Sequence, residues 1–332
     1  MTASVAYSAR SVFKQAYFQL RRAGGADARS RRAQAGSLVI LTAHQFRLSG
    51  RDGIAEAQPI DAFGRHLRFL TRHYRFVSLE DGLAELQAGR APQDDARPLA
   101  CLTVDDGFAD GYEVLYPQLR ALGLTATFFL PTDFLDHGAP PWPIELADIL
   151  EAAQVDRIPA PVALPLGTTA ERHRAKAALK ALWSGLSPHA RRQELDALAR
   201  TLQAKDRRLR RPMTWDNVRE MHADGQGFGS HTTFHSILPP MSDAVLGSEL
   251  VEPKLRLEDE LQAPCKLFAY PNGDWDDRTA QAVRGAGYAA AVTQDGGVNA
   301  PGADLFSLKR INLPPDDRLP SFVCRIAEPG PQ

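Results

Sequence analysis

The chain has 332 residues, 44% hydrophobic and 24% charged, with a formal net charge of −1. That is ordinary globular composition for two domains or one large barrel, with a core big enough to need no disulfide staples. Residues 1–36 carry seven Lys/Arg against Asp27, a net of +6, which leaves −7 on the remainder; a nucleic-acid-binding body would be basic, so that class is disfavoured. Cys101, Cys265 and Cys324 are far apart and odd in number, which points to neither a disulfide framework nor a thiolate zinc site and fits a reducing compartment. No run of about 18 apolar residues is present, so no spanning helix is expected. The N-terminus lacks the apolar core of a secretory signal, so the expected location is cytoplasmic.

In chain order, residues 5–22 predict a basic amphipathic helix, either packed on the body or resting on an anionic membrane surface. A polar link follows. The apolar run Leu38–Leu41 within SLVILTAHQF predicts a buried strand. Residues 59–73 predict a helix, Arg75–Ser78 a short strand and Glu80–Ala88 a helix. PLACLTV (98–104) is a second buried strand ending at Asp105 and Asp106. Ala109–Leu122 predicts a helix and 125–130 a strand. Between 137 and 212 the rhythm breaks: Pro-rich pieces surround helical stretches, and residues 171–211 hold twelve Lys/Arg against four acids. This reads as a helical insertion with either a solvated basic face or a lid facing an anionic substrate. Regularity returns with a helix over 214–224 capped by Thr214, a strand at 227–231, a helix over 242–261 capped by Ser242, a strand at 266–270, a helix over 276–286, a strand at 289–293 and a last one within 305–313. Alternating strands and helices imply a mostly parallel α/β sheet, open or closed into a barrel. Its polar residues fall at strand ends, where barrels carry their active face.

Three clusters carry chemistry. In TVDDG (103–107), two adjacent carboxylates ending an apolar strand suit one metal ligand and one general base, because ionising both in a confined site needs a compensating cation. Gly107 permits a tight turn, although Asp-Asp-Gly also suits a plain surface turn. In HTTFH (231–235), two histidines four apart share a face if the segment is helical and can hold one metal. In FAYPNGDWDD (268–277), Pro271 and Gly273 set a turn whose backbone N–H groups can meet an oxyanion.

In this order the clusters resemble the polysaccharide deacetylase (NodB-homology, carbohydrate esterase) family over about 37–313, excluding much of the insertion. The resemblance implies a distorted (β/α)7-type barrel, preceded by a basic arm (1–36). It implies that Asp106, His231 and His235 hold one divalent metal, zinc by default, with cobalt, manganese, nickel or iron as alternatives. Asp105 would be the base that takes a proton from water. The Asn272 N–H would stabilise the oxyanion, with Tyr270 and Pro271 beside it. Two positions depart from the pattern. Phe268 stands where the family carries an Arg that orients the base, and Arg310 is the candidate replacement through a bidentate contact with Asp105. No histidine follows His235 to act as the late general acid. A circularly permuted subset carries that histidine on the first strand, as LTAHQF (41–46) does, so His44 is the expected acid. The implied reaction removes an N-acetyl or similar acyl group from an amino sugar in a polysaccharide, oligosaccharide or lipid-linked saccharide, as in cell-surface glycan biosynthesis. The alternatives are a deformylase of a lipid-linked formamido sugar and an inactive glycan-binding protein on the same fold. A carbohydrate is the expected partner, and the N-terminal arm would touch the inner membrane surface.

Overall fold

The computed structural model describes residues 25–48, 57–89, 97–138, 140, 142–183, 186, 188–204, 210–313 and 319–327; the helix expected over 5–22 lies outside them. Ten strands are present among these residues: β1 (Leu38–Ala43), β2 (Phe46–Arg47), β3 (Gln58–Pro59), β4 (Arg75–Phe76), β5 (Leu99–Val104), β6 (Thr127–Leu130), β7 (Gly227–Ser230), β8 (Leu267–Ala269), β9 (Ala290–Gly296) and β10 (Leu308–Asn312). The main sheet runs β1-β10-β9-β8-β7-β6-β5-β4, and β1 also pairs with β5, which closes a seven-stranded barrel. Every pairing in it is parallel. The short β4 lies outside the ring. It pairs with β5 at Leu99 and Ala100, whereas β6 pairs with β5 higher up, at Thr103 and Val104.

Period-2 alternation sorts the strand residues. Ile40, Cys101, Phe129, Ala269, Val292 and Leu308 fill the barrel interior together with Leu79, Leu83 and Leu86, which plug its base. Their sequence neighbours Leu41, Leu102, Phe128, Phe268 and Ala291 face the surrounding helices, as does Ile311 of β10. All six residues of β1 and of β5 are buried, as expected of strands covered on both sides.

The helices are α1 (Ala26–Ala33), α2 (Ile60–His73), α3 (Leu79–Ala88), α4 (Tyr116–Leu122), α5 (Thr132–His137), α6 (Trp142–Glu151), α7 (Thr169–Trp183), α8 (Pro188–Thr201), α9 (Trp215–Ala223), α10 (Asp243–Leu261), α11 (Asp277–Gly285) and α12 (Leu319–Ala327). The segment expected as one helix from Ala109 begins with a π turn, Gly111–Leu115, before α4. Thr214 caps α9 through a reciprocal capping box with Asn217. Ser242 sits at the start of α10, but its hydroxyl makes no cap hydrogen bond. Three helices are absent from the sequence reading, α1, α5 and α12; of these α1 and α12 pack on each other, the Gln34 amide donating to the carbonyls of Ile326 and Ala327 at 2.9 and 3.0 Å. No helix among the described residues is long and apolar enough to cross a membrane.

The insertion contributes α6, α7 and α8 around a core of their own that includes Leu146, Ile149, Leu179, Trp183, Leu195 and Leu202. Arg210, only 6% exposed, ties it to the barrel. Its guanidinium pairs with Asp148 and Glu151 of α6 and donates to the Gln45 side chain just after β1.

Candidate active site

Alternation explains why the polar groups meet. Asp105 lies two and four residues beyond Thr103 and Cys101, at the top of an inward-facing row. Arg310 lies two beyond the interior Leu308 in β10. Both are buried, at 1% and 0% exposure. The guanidinium grips the carboxylate with two bonds, Nη1 to Oδ1 at 2.7 Å and Nη2 to Oδ2 at 2.6 Å. It also donates to the Thr103 hydroxyl at 3.1 Å and to the Thr293 carbonyl at 2.6 Å. Burial pushes the Asp105 carboxyl up, and the Arg310 charge and hydrogen bonds more than offset that, so it sits below the usual carboxylate range. Phe268, at the position of the expected arginine, faces the outer core, where its ring packs on Tyr270 and Tyr288.

The chain turns sharply after Asp105. Asp106 and Gly107 both adopt left-handed backbone, with φ 72° and 66°. Gly107 is required twice over, since a Cβ there would lie 2.8 Å from Leu130 Cδ2. Asp106 has no such licence, and backbone strain of this kind gathers at functional sites. The turn aims the Asp106 carboxylate at two imidazoles: His231 Nε2 is 3.5 Å and His235 Nε2 3.3 Å from its Oδ1.

The histidine pair does not lie on a helix. Residues 231–235 form an irregular loop after β7, with Thr232 and His235 at φ 65° and 56°, and the rings meet edge to face with centroids 4.8 Å apart. Glu249 of α10 holds this loop. Its carboxylate accepts the N–H groups of Thr233 and Phe234 and the Ser236 hydroxyl. His231 Nδ1 donates to the Ala269 carbonyl at 2.7 Å, which leaves the Nε2 lone pair facing Asp106, the arrangement metal-ligating histidines adopt.

One ligand atom from each of Asp106, His231 and His235 lies within 4.8 Å of the others. Burial raises the Asp106 carboxyl, but the two imidazoles outweigh it and hold it well below the carboxylate range. Its Oδ1 is nevertheless buried without a hydrogen-bond partner, and a buried acceptor left so is costly. An orphaned carboxylate oxygen facing two imidazole nitrogens is the donor set of a borderline divalent cation such as zinc, and these residues fit one.

The remaining site residues divide. A cavity of about 460 Å³ at the barrel mouth is lined by His44, Asp105, Asp106, His231, His235 and Asn272 among others. His44 Nε2 lies 3.8 Å from Asp105 Oδ2, and its side chain is 37% exposed. Asn272 is exposed at φ 57° in the turn after β8. That turn is seated by Gly273, where a Cβ would strike Gln294 at 2.5 Å. Tyr270 does not reach the cavity: its side chain points outward, 0% exposed, with its hydroxyl on the Phe306 carbonyl at 3.0 Å. Pro271 is buried beneath the turn. Both therefore support the turn rather than face a substrate. Sequence reasoning missed Gln294, which donates to Asp105 Oδ2 at 3.5 Å, and Arg210, Lys176 and Asn312, which line the same cavity. Alternation from Val292 would have turned Gln294 inward, but nothing local marks Arg210 or Lys176, which arrive on the insertion.

A parallel barrel with a buried Asp–Arg pair beside an Asp-His-His cluster defines a hydrolase-like site at the strands' C-terminal ends. Residues 93–291 match the polysaccharide deacetylase family. The chain belongs to this family of polysaccharide deacetylases. Among solved structures it is similar to the Streptococcus pyogenes deacetylase PplD, seen with acetate, at TM-score 0.60 and 20% identity, covering 88% of this chain and 99% of that one. It is also similar to IcaB from Ammonifex degensii, at TM-score 0.56 and 20% identity, covering 88% and 97%. At these identities the likeness concerns the fold. YxkH of Bacillus subtilis (strain 168), named as a polysaccharide deacetylase, is 24% identical over 103 residues, 31% of this chain; the match spans 37% of that relative.

Proposed function

We propose that the protein is a metal-dependent deacetylase that removes an N-acetyl group from an amino sugar in a glycan or lipid-linked saccharide. The observation that carries this reading is the adjacency of two differently neutralised carboxylates. Asp106 is turned toward two imidazoles, and Asp105 beside it is held ionised by the two-bond grip of Arg310. Asp106, His231 and His235 hold the cation, with zinc the best match to their donors. When bound, such a cation polarises the amide carbonyl and makes a water acidic.

The chain's own residues do the rest. Asp105, kept charged by the guanidinium, accepts the proton of the attacking water. The Arg310 fork fixes which carboxylate lone pairs face the cavity. The Asn272 N–H, at the cavity rim, donates to the oxyanion as it develops. His44, beside Asp105, delivers a proton to the leaving amine. The basic segment 1–36 holds the enzyme at an anionic membrane surface on the cytoplasmic side; failure to float with anionic liposomes would contradict that last point.

The reading is tested by acetate release from N-acetylglucosamine oligomers by metal-loaded protein. Asp105→Asn should keep its metal and lose roughly 10²–10⁴ in turnover, and His44→Gln should fall within the same span. Full turnover in Asp105→Asn would overturn the assignment of the base.

A further inference from the structure

A second groove, of about 800 Å³, opens from the catalytic cavity. Ile144, His235 and Asn272 line both. His235 belongs to the cation cluster and Asn272 carries the oxyanion donor, so the groove begins where the acyl group reacts. It is the larger of the two spaces, the cavity measuring about 460 Å³, and barrel and insertion both line it.

Two aromatic side chains set its character. The barrel supplies Phe234, which stands in sequence between the two histidines and is 53% exposed. The loop that carries it is not slack. Glu249 accepts the N–H groups of Thr233 and Phe234, and Thr232 and His235 are held in left-handed backbone. The insertion supplies Trp142 to the same groove. The Arg191 guanidinium lies over its ring, 4.6 Å from the centroid, and is itself pinned by the carbonyls of Trp183 and Leu186 at 3.2 and 2.8 Å. The indole is therefore fixed before any ligand arrives, which lowers the ordering cost of binding. Pro143 and Ile237 extend the apolar lining, and apolar surface gathered in a groove marks a binding site.

Charge shares the groove. Lys180 is exposed, and the Arg192 side chain is 42% exposed. Hydrocarbon laid over these groups would strip their water without replacing it, which disfavours a lipid tail. A pyranose suits both kinds of lining. Its C–H face packs on the negative face of an aromatic ring, and its hydroxyls hydrogen-bond at the polar rim.

We propose that this groove is a second sugar subsite: it binds the ring next to the reacting amino sugar against Trp142 and Phe234, so that the substrate is a chain of at least two sugars. The proposal rests on the deacetylase reading for its orientation, with the acylated nitrogen at the Asp-His-His cluster. It gives the insertion a part in selecting the substrate.

The test sets calorimetric binding to the metal-loaded protein beside acyl release, for N-acetylglucosamine, its β-1,4- and β-1,6-linked disaccharides and its octyl glycoside. At least one disaccharide should bind about tenfold tighter than the monosaccharide, the scale of one or two aromatic contacts. Trp142→Leu and Phe234→Leu keep apolar bulk and remove the ring faces. Each should cut that gain to about threefold, and the double variant should erase it. Trp142 lies on the insertion, so its variant tests the subsite without touching the loop that holds His235. Equal binding of monosaccharide and disaccharides, or a gain that both variants leave intact, would overturn the proposal. So would an octyl glycoside that gains as much as the better disaccharide, since hydrocarbon would then be the occupant. A disaccharide gain erased by the variants, with no acyl group released from any probe, would sink the hydrolase reading and leave the subsite standing.

Discussion

The barrel mouth and the insertion solve the same problem, charge inside a protein, in different ways. At the mouth, the pair is sealed: Arg310 and Asp105 are 0% and 1% exposed, and the neighbouring backbone is strained at Asp106, Thr232, His235 and Asn272. In the insertion, Arg192 reaches an equally buried Glu145 from outside, with 42% of its own side chain exposed. The contrast teaches where each region's free energy goes. The mouth spends stability on fixed charges in fixed directions, as preorganised catalysis requires. At Arg192 the insertion keeps a cation adjustable and wet, whereas Arg210, which ties it to the barrel, is nearly as sealed as the mouth's pair.

The largest expected difference between the two regions comes from breaking each pair. Arg310→Met strands a fully buried carboxylate and should cost about 3–5 kcal/mol in urea unfolding. Arg192→Met leaves Glu145 with water close at hand and should cost about 1–2 kcal/mol. Equal losses would remove the distinction. A sharper probe is Asp110, where the π turn meets the mouth. Burial pushes its carboxyl up to about 7, against the opposing effect of the Phe46 N–H, and its Oδ1 has no partner. The unfolded chain releases this proton near pH 4. Between about 4 and 7 the folded state therefore holds a proton the unfolded state lacks, so this group's contribution to stability falls as pH rises through that window. Asp110→Asn should remove that slope and be more stable than wild type at pH 8 by roughly 2–4 kcal/mol, an upper range set by the size of the shift; parallel stability–pH curves for the two proteins would contradict it. The smallest effects are at helix starts. Thr214→Ala should cost about 1 kcal/mol, because its hydroxyl caps α9, whereas Ser242→Ala should fall within about 0.5 kcal/mol, because that hydroxyl caps nothing; thermal melts distinguish the two.

Much of the barrel was legible because its signals are local. Leu38–Leu41 and the 98–104 run are apolar throughout, and Thr214 and Asp276 sit at helix starts with side chains suited to capping. The site was legible wherever a motif ends a strand, as at Asp105, Asp106, His231 and His235. Arg310 needed a further step, since only the absence of an arginine at Phe268 directed attention to it, and barrel closure brings it to Asp105 from 205 positions away. What local pattern does not encode went unread. The α1–α12 pair is held by contacts 292 and 293 residues apart. The 231–235 segment bends into a loop because Glu249, from another element, takes its N–H groups. Tyr270 was misplaced because its proximity in sequence to the turn says nothing of the strand parity that directs it outward.

The measurement that bears most directly on the central claim is metal content set beside acyl release, on the wild type and on His231→Ala. One divalent cation per chain in the wild type, its removal by chelator abolishing acetate release and its return restoring it, with neither metal nor activity in the variant, is the result expected. Undiminished hydrolysis by chelated wild type, or a full complement of metal in His231→Ala, would contradict it.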